Sequence, residues 1–155
     1  MNQIPKIPVR RLAAISAQWH AAIVHRARDA CTDELLREGW PPDGIEYLEV
    51  PGAFEIPLLA RRLADSGRFD AIVAFGLVVD GGIYRHDFVA RAVIDGLMRV
   101  QLDTGVPVVS AVLTPHHFHE HPVHQQQFGE HFVLKGTEAA RAVLQTLAVH
   151  QRQAA

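Results

Sequence analysis

His86 is the residue on which proton chemistry would rest. It closes the run G-L-V-V-D-G-G-I-Y-R-H at 76–86, where an apolar stretch stops at Gly81 and Gly82 and a helical pattern begins. Imidazole is the side chain whose unperturbed titration lies nearest neutral pH, so it suits moving a proton to and from a reacting group. The helix that His86 and Asp87 open would offer unpaired N–H groups and the positive end of its dipole to an anion. A glycine-rich turn whose histidine merely caps a helix fits the same residues. Upstream, V-P-G-A-F-E-I-P at 50–57 starts another helix. Its amides at Ala53, Phe54 and Glu55 are expected to be free for a polar ring or a sugar, with the Glu55 carboxylate accepting from hydroxyls. A plain proline-glycine turn with Phe54 in the core is the alternative. Trp19 follows an apolar run among polar neighbours, where an indole either stacks on a planar heterocycle or packs between elements.

A metal is the other chemistry the residues invite. His116, His117, His119, His121, His124 and His131 crowd one segment together with Gln125, Gln126 and Gln127. Imidazoles suit Zn, Ni or Cu. The segment has no H-E-x-x-H and no carboxylate at a recognised spacing, and Pro122 interrupts any single helical face that would align ligands. A solvated or interface loop is therefore preferred to a metal site, and no metal is assigned. Phosphate-loop and dinucleotide motifs are missing, as is the G-x-S-x-G elbow of many hydrolases, which disfavours nucleoside triphosphates, dinucleotides and that hydrolase class.

Composition narrows the partners. The chain has 155 residues and a formal net charge of −2 with no long basic block, so neither nucleic acid nor an anionic membrane surface is expected, and a small molecule fits better. Cys31 is the one cysteine, which excludes an intramolecular disulfide and points to a reducing cytoplasm. No run approaches the roughly 20 apolar residues of a membrane helix, and the N-terminus lacks a signal-peptide core.

The elements that must position these residues alternate. Met1 to Pro8 reads as a flexible arm, and 9–155 as one domain. Strands are expected over Val9–Ser16, Ile45–Val50, Ala71–Val79 and Val106–Leu113. Helices are expected from Ala22 to a stop at Gly39, over Phe54–Ser66 ending at Gly67, from His86 to Gly105, and over Leu134–Gln151. Trp40 should cover a core edge, and Cys31 should be core. Buried strands joined by long helical crossovers pair in parallel, which gives a three-layer αβα sandwich around a four-stranded parallel sheet, flavodoxin-like in class. The C-terminal strand ends then gather Trp19, the Pro51–Glu55 turn, Val78–His86 and the Thr114 loop on one edge.

Four stretches taken together carry a resemblance: V-P-G-A-F-E-I-P at 50–57, G-L-V-V-D-G-G-I-Y-R-H-D-F-V at 76–89, P-V-V-S-A-V-L-T at 107–114 and K-G-T-E-A-A at 135–140. In order and spacing they resemble the lumazine synthase family over about Val9 to Leu147. The long histidine-rich stretch before Lys135 resembles the divergent second type. The resemblance implies condensation of 5-amino-6-ribitylaminouracil with 3,4-dihydroxy-2-butanone 4-phosphate to 6,7-dimethyl-8-ribityllumazine, with no cofactor. It implies that Trp19 stacks on the pyrimidine, that Ala53, Phe54 and Glu55 hold the ribityl chain, and that Leu77, Val78 and Val79 meet the ring edge through backbone groups. Ile83 and Tyr84 would bind the phosphorylated ketone, and His86 would shuttle protons. Ser110 would reach a neighbouring subunit's site, and His124 stands nearest the family's phosphate-binding arginine. The resemblance also implies a homo-oligomer with shared sites, a pentamer or decamer. A lumazine- or flavin-binding protein without turnover, and a metal-binding oligomer, are the competing functions.

Overall fold

The computed structural model describes residues 10–79, 85–115 and 122–154, with side chains from residue 126 onward in the last of these. The strands are Leu12–Ala17 (β1), Ile45–Val50 (β2), Ala71–Leu77 (β3) and Val108–Leu113 (β4). The helices are Ala21–Arg37 (α1), Ile56–Asp65 (α2), His86–Thr104 (α3) and Pro122–Ala154 (α4). All strands pair in parallel in the order β2-β1-β3-β4, with Ala14 opposite both Tyr47 and Val73, and Phe75 opposite Ala111. This is the expected three-layer sandwich. The central strands β1 and β3 are buried along their whole length, as a sheet covered on both faces requires.

Strand alternation sends side chains to two cores. Leu12, Ala14, Val73 and Phe75 pack with Val24, Cys31 and Leu35 of α1 and with Phe132 and Val143 of α4. Ala13, Ile15, Ile72 and Ala74 pack with Ile56 and Ala60 of α2 and Val93 and Leu97 of α3. Each fully buried aliphatic or Phe side chain contributes about 1.5–3 kcal/mol. Trp40 is buried at the sheet's lower edge, 2% exposed, and its Nε1 donates to the Gly44 carbonyl at 3.2 Å. Gly39, Gly67 and Gly105 follow α1, α2 and α3 with positive φ, as expected of helix stops.

Several boundaries differ from expectation. β4 starts at Val108, not Val106, because Pro107, whose carbonyl accepts from the Ile72 amide at 2.9 Å, has no N–H to give the ladder. β3 ends at Leu77, although the Val78 amide still donates to the Leu113 carbonyl at 2.9 Å. The helix expected from Phe54 begins as a single 3-10 turn, Ala53–Glu55, before α2. The largest correction is α4, which starts at Pro122, twelve residues before the expected Leu134. A proline in the first helical turn needs no N–H partner, so Pro122 opens the helix that it was expected to interrupt. The helix then runs 33 residues, about 50 Å.

α1 and α4 pack closely, and one glycine sets how closely. A β-carbon at Gly136 would overlap the Ala27 carbonyl oxygen of α1, so the K-G-T-E-A-A stretch carries glycine where two helix backbones nearly touch. Beside that crossing the buried Glu34 carboxylate takes Arg37 from its own helix and Arg141 Nε of α4 at 3.4 Å.

Candidate active site

In an open parallel sheet, crossovers leave in opposite directions from a switch point, and a crevice forms there above the carboxyl ends of the strands. Here that point lies between β1 and β3. β1 ends at Ala17 and releases Trp19 and His20. The next strand, β2, releases Pro51 and Gly52 into the 3-10 turn, and β3 releases Val78 and Val79. A cavity of about 270 Å³ opens among them.

Its wall brings together most of the residues expected to act. Trp19, Ala53 and Phe54 form one side, Leu77, Val78 and Val79 the floor, and His86 at the first turn of α3 the other side. Trp19 is 64% exposed and Phe54 65% exposed, so two aromatic rings stand uncovered at the rim. Phe54 is thus not core. Among the described residues no partner is found for the amides of Ala53 and Phe54, as expected of a helical first turn. Apolar walls with a few polar groups suit a planar heterocycle.

Other expected residues are spent or stand elsewhere. The Glu55 amide is not free, since it donates to the Gly52 carbonyl at 3.2 Å, and Glu55 Oε2 accepts from the Gly52 amide at 2.9 Å. Glu55 is not part of the cavity wall. The Val78 amide is engaged with Leu113, so any contact it makes with a ligand must use its carbonyl. Ser110 is exposed on β4, away from this cavity, beside a hollow that Lys135 and Glu138 also line. Ile83 and Tyr84 lie outside the described residues, as do Gly81, Gly82 and the side chain of His124. Among the described residues no three His, Cys, Asp or Glu side chains gather to hold a metal, and His116, His117, His119 and His121 lie outside them.

Two wall residues escaped the sequence reading. Val89 stands one turn after His86 on the same face of α3. His20 caps α1 at φ 60°, ψ 36°, and among the described residues it alone, glycines aside, has positive φ. Its carbonyl accepts from the amides of Ile23 and Val24, each at 3.0 Å. Holding a non-glycine residue there costs about 1–2 kcal/mol, and such strain gathers at functional sites. Histidine is among the residue types enriched in that conformation, so a histidine just past a strand end was the available signal. Near His86, Arg85 pairs with Asp87 at 2.9 Å and lies over the Phe88 ring.

Comparison with known proteins identifies the family. Residues 10–151 match the model of the family described as 6,7-dimethyl-8-ribityllumazine synthase. A protein of that name from Rhodococcus erythropolis is 68% identical over 138 residues, covering 89% of each chain. Proteins named 6,7-dimethyl-8-ribityllumazine synthase 2 are similarly related. The one from Pseudomonas syringae pv. tomato is 52% identical over 140 residues, covering 90% of this chain and 82% of its own. The one from Bradyrhizobium diazoefficiens is 54% identical over 138 residues, covering 89% and 82%. A parallel sheet of this order, a crevice at its switch point and identity across nine-tenths of the chain converge on one conclusion: the chain belongs to the 6,7-dimethyl-8-ribityllumazine synthase family, in its divergent second type.

Proposed function

We propose that the chain condenses 5-amino-6-ribitylaminouracil with 3,4-dihydroxy-2-butanone 4-phosphate to 6,7-dimethyl-8-ribityllumazine, releasing phosphate and water in riboflavin biosynthesis. The observation that carries this reading is the convergence on one crevice of an exposed indole, an imidazole and two amides that have no partner among the described residues. Trp19 stacks on the pyrimidine, and the amides of Ala53 and Phe54 meet ribityl hydroxyls. Glu55 reaches the ribityl chain only with a carboxylate oxygen not held by Gly52. The carbonyls of Leu77, Val78 and Val79 face the ring edge. The uracil amine attacks the ketone and expels water to give an imine, phosphate is eliminated, and ring closure expels water again. Each step moves protons, and His86 carries them. Much of the remaining rate comes from holding two reactants in attack geometry. The phosphate of the ketone lies toward the amides that open the 19-residue α3, where Ile83 and Tyr84 lead in, with His124 supplied by α4. No cofactor takes part.

The active unit is a homo-oligomer, a pentamer or decamer, working in the cytoplasm, each subunit one domain over 9–155 with its arm at 1–8. Two features support assembly. Phe88, Ile94, Met98 and Leu102 leave an exposed apolar stripe along α3, with Leu58 of α2 exposed as well. Ser110, exposed away from its own cavity, is available to a neighbour's site. Steady-state turnover with both substrates tests the function. His86→Ala should lower kcat by about 10²–10⁴-fold while product affinity stays within a few-fold. A variant as active as the parent would remove the proton carrier, and a parent without turnover would remove the enzyme.

A further inference from the structure

Position 52 is glycine for a reason its own backbone does not supply. Gly52 sits at φ −140°, ψ 177°, extended geometry open to any residue, yet it is buried on a surface bend. What excludes a side chain is chiefly Trp19, with Glu55 Oε2 a lesser contact, 3.2 Å from where a β-carbon would stand. A β-carbon at position 52 would stand 2.5 Å from both Cε3 and Cζ3 of the indole, about 1 Å inside ordinary carbon–carbon contact. The six-membered ring therefore rests against the bare backbone. The segments that carry the two residues are tied together, Gln18 N–H to the Val50 carbonyl at 2.8 Å and Trp19 N–H to the Pro51 carbonyl at 3.1 Å. Glu55 Oε2 holds the Gly52 amide from the other side at 2.9 Å. An added methyl cannot be absorbed by parting these strand ends. The indole, largely uncovered on its outer side, is the part free to move.

We propose that Gly52 is a positioning residue, the rest on which the Trp19 indole lies, and that the Glu55 carboxylate fixes that rest through the Gly52 amide. The height of the indole above the floor formed by Leu77 and Val78 then sets which planar ligand enters, and how it tilts. This rests on the reading of Trp19 as the stacking residue. It assigns Glu55 a role in shaping the site, separate from contact with the ribityl chain. The consequence is selective: position 52 governs the heterocycle and leaves the phosphorylated ketone alone.

The full-length chain labelled with 5-fluorotryptophan gives one fluorine resonance for Trp19 and one for Trp40, the only tryptophans. Trp40 is buried far from the bend and serves as the internal control. Gly52→Ala should shift the Trp19 resonance and leave that of Trp40 in place. It should raise KM for the pyrimidine by about tenfold or more, with KM for the phosphorylated ketone within about twofold. In a Trp19→Ala background, where no ring remains to displace, Gly52→Ala should change the pyrimidine KM by less than about twofold. An unmoved Trp19 resonance, an equal rise for both substrates, or the same rise in both backgrounds would each overturn the proposal. If Gly52→Ala alone does not fold, adding Trp19→Ala must restore folding, and failure to do so also overturns it. The fluorine shift needs no turnover, so a parent chain that proves inactive would refute the proposed reaction without deciding the fate of the rest.

Discussion

Cys31 lies on the inner face of α1, 1% exposed, with Leu35 and Val143 in the same core. Burial pushes its thiol from an ordinary 9.0 up to about 12. Reactivity belongs to the thiolate, so the native chain should resist a disulfide-exchange reagent at pH 8 and react fully once denatured. The sign of the pH effect follows from linkage. Above pH 9.0 the unfolded chain gives up this proton while the folded chain keeps it until about 12, so stability is whole below 9.0 and falls through that interval. Urea midpoints at pH 7 and pH 10.5 should differ more for the parent than for Cys31→Ala, and equal differences would contradict the account. The burial of Cys31 was readable from helical spacing, and the place of His86 from the break at two glycines. The left-handed backbone of His20 was only hinted at, because a histidine three residues past a strand is a residue type enriched there, yet most histidines in such places are relaxed. The capture of the Glu55 carboxylate by Gly52 was hidden, since it depends on how a tight bend closes on itself.

At the scale of elements, the crossing of α1 and α4 is the most sensitive contact. Gly136→Ala would drive a methyl into the Ala27 carbonyl and force the helices apart, a loss of about 1–3 kcal/mol. The check is the urea midpoint, and a change below a few tenths of a kcal/mol would mean that the helices shift freely. Strand positions were legible because β1, with Ser16 its one polar residue, and β3 are nearly continuous apolar runs that only a doubly covered sheet accommodates. The start of α4 was not. A proline reads as a breaker unless it is known to sit in a first turn, and the polar, histidine-rich sequence after Pro122 has little apolar periodicity to announce a helix. Tertiary contact with α1 supplies what local pattern lacks, beginning where Gly129 of α4 admits the Arg26 side chain.

For the molecule as a whole, a single subunit leaves its aromatic rim and the α3 stripe uncovered, and assembly is what would cover them. Light scattering should report a pentamer or decamer at micromolar concentration. Met98→Glu, which sets a charge into that stripe, should yield smaller species of native helicity with much reduced turnover, whereas a monomeric parent would contradict the assembly. One feature of the cavity reaches further. Every described residue of its wall comes from Trp19 to Val89, and neither β4 nor any described side chain of α4 contributes. Within one subunit, the proposed demand of the ligand on the later part of the chain is then confined to His124, the partner suggested for the phosphate. The rest of the histidine-rich stretch can drift in composition, and kinship in this family should be least visible between Thr114 and Lys135, His124 excepted.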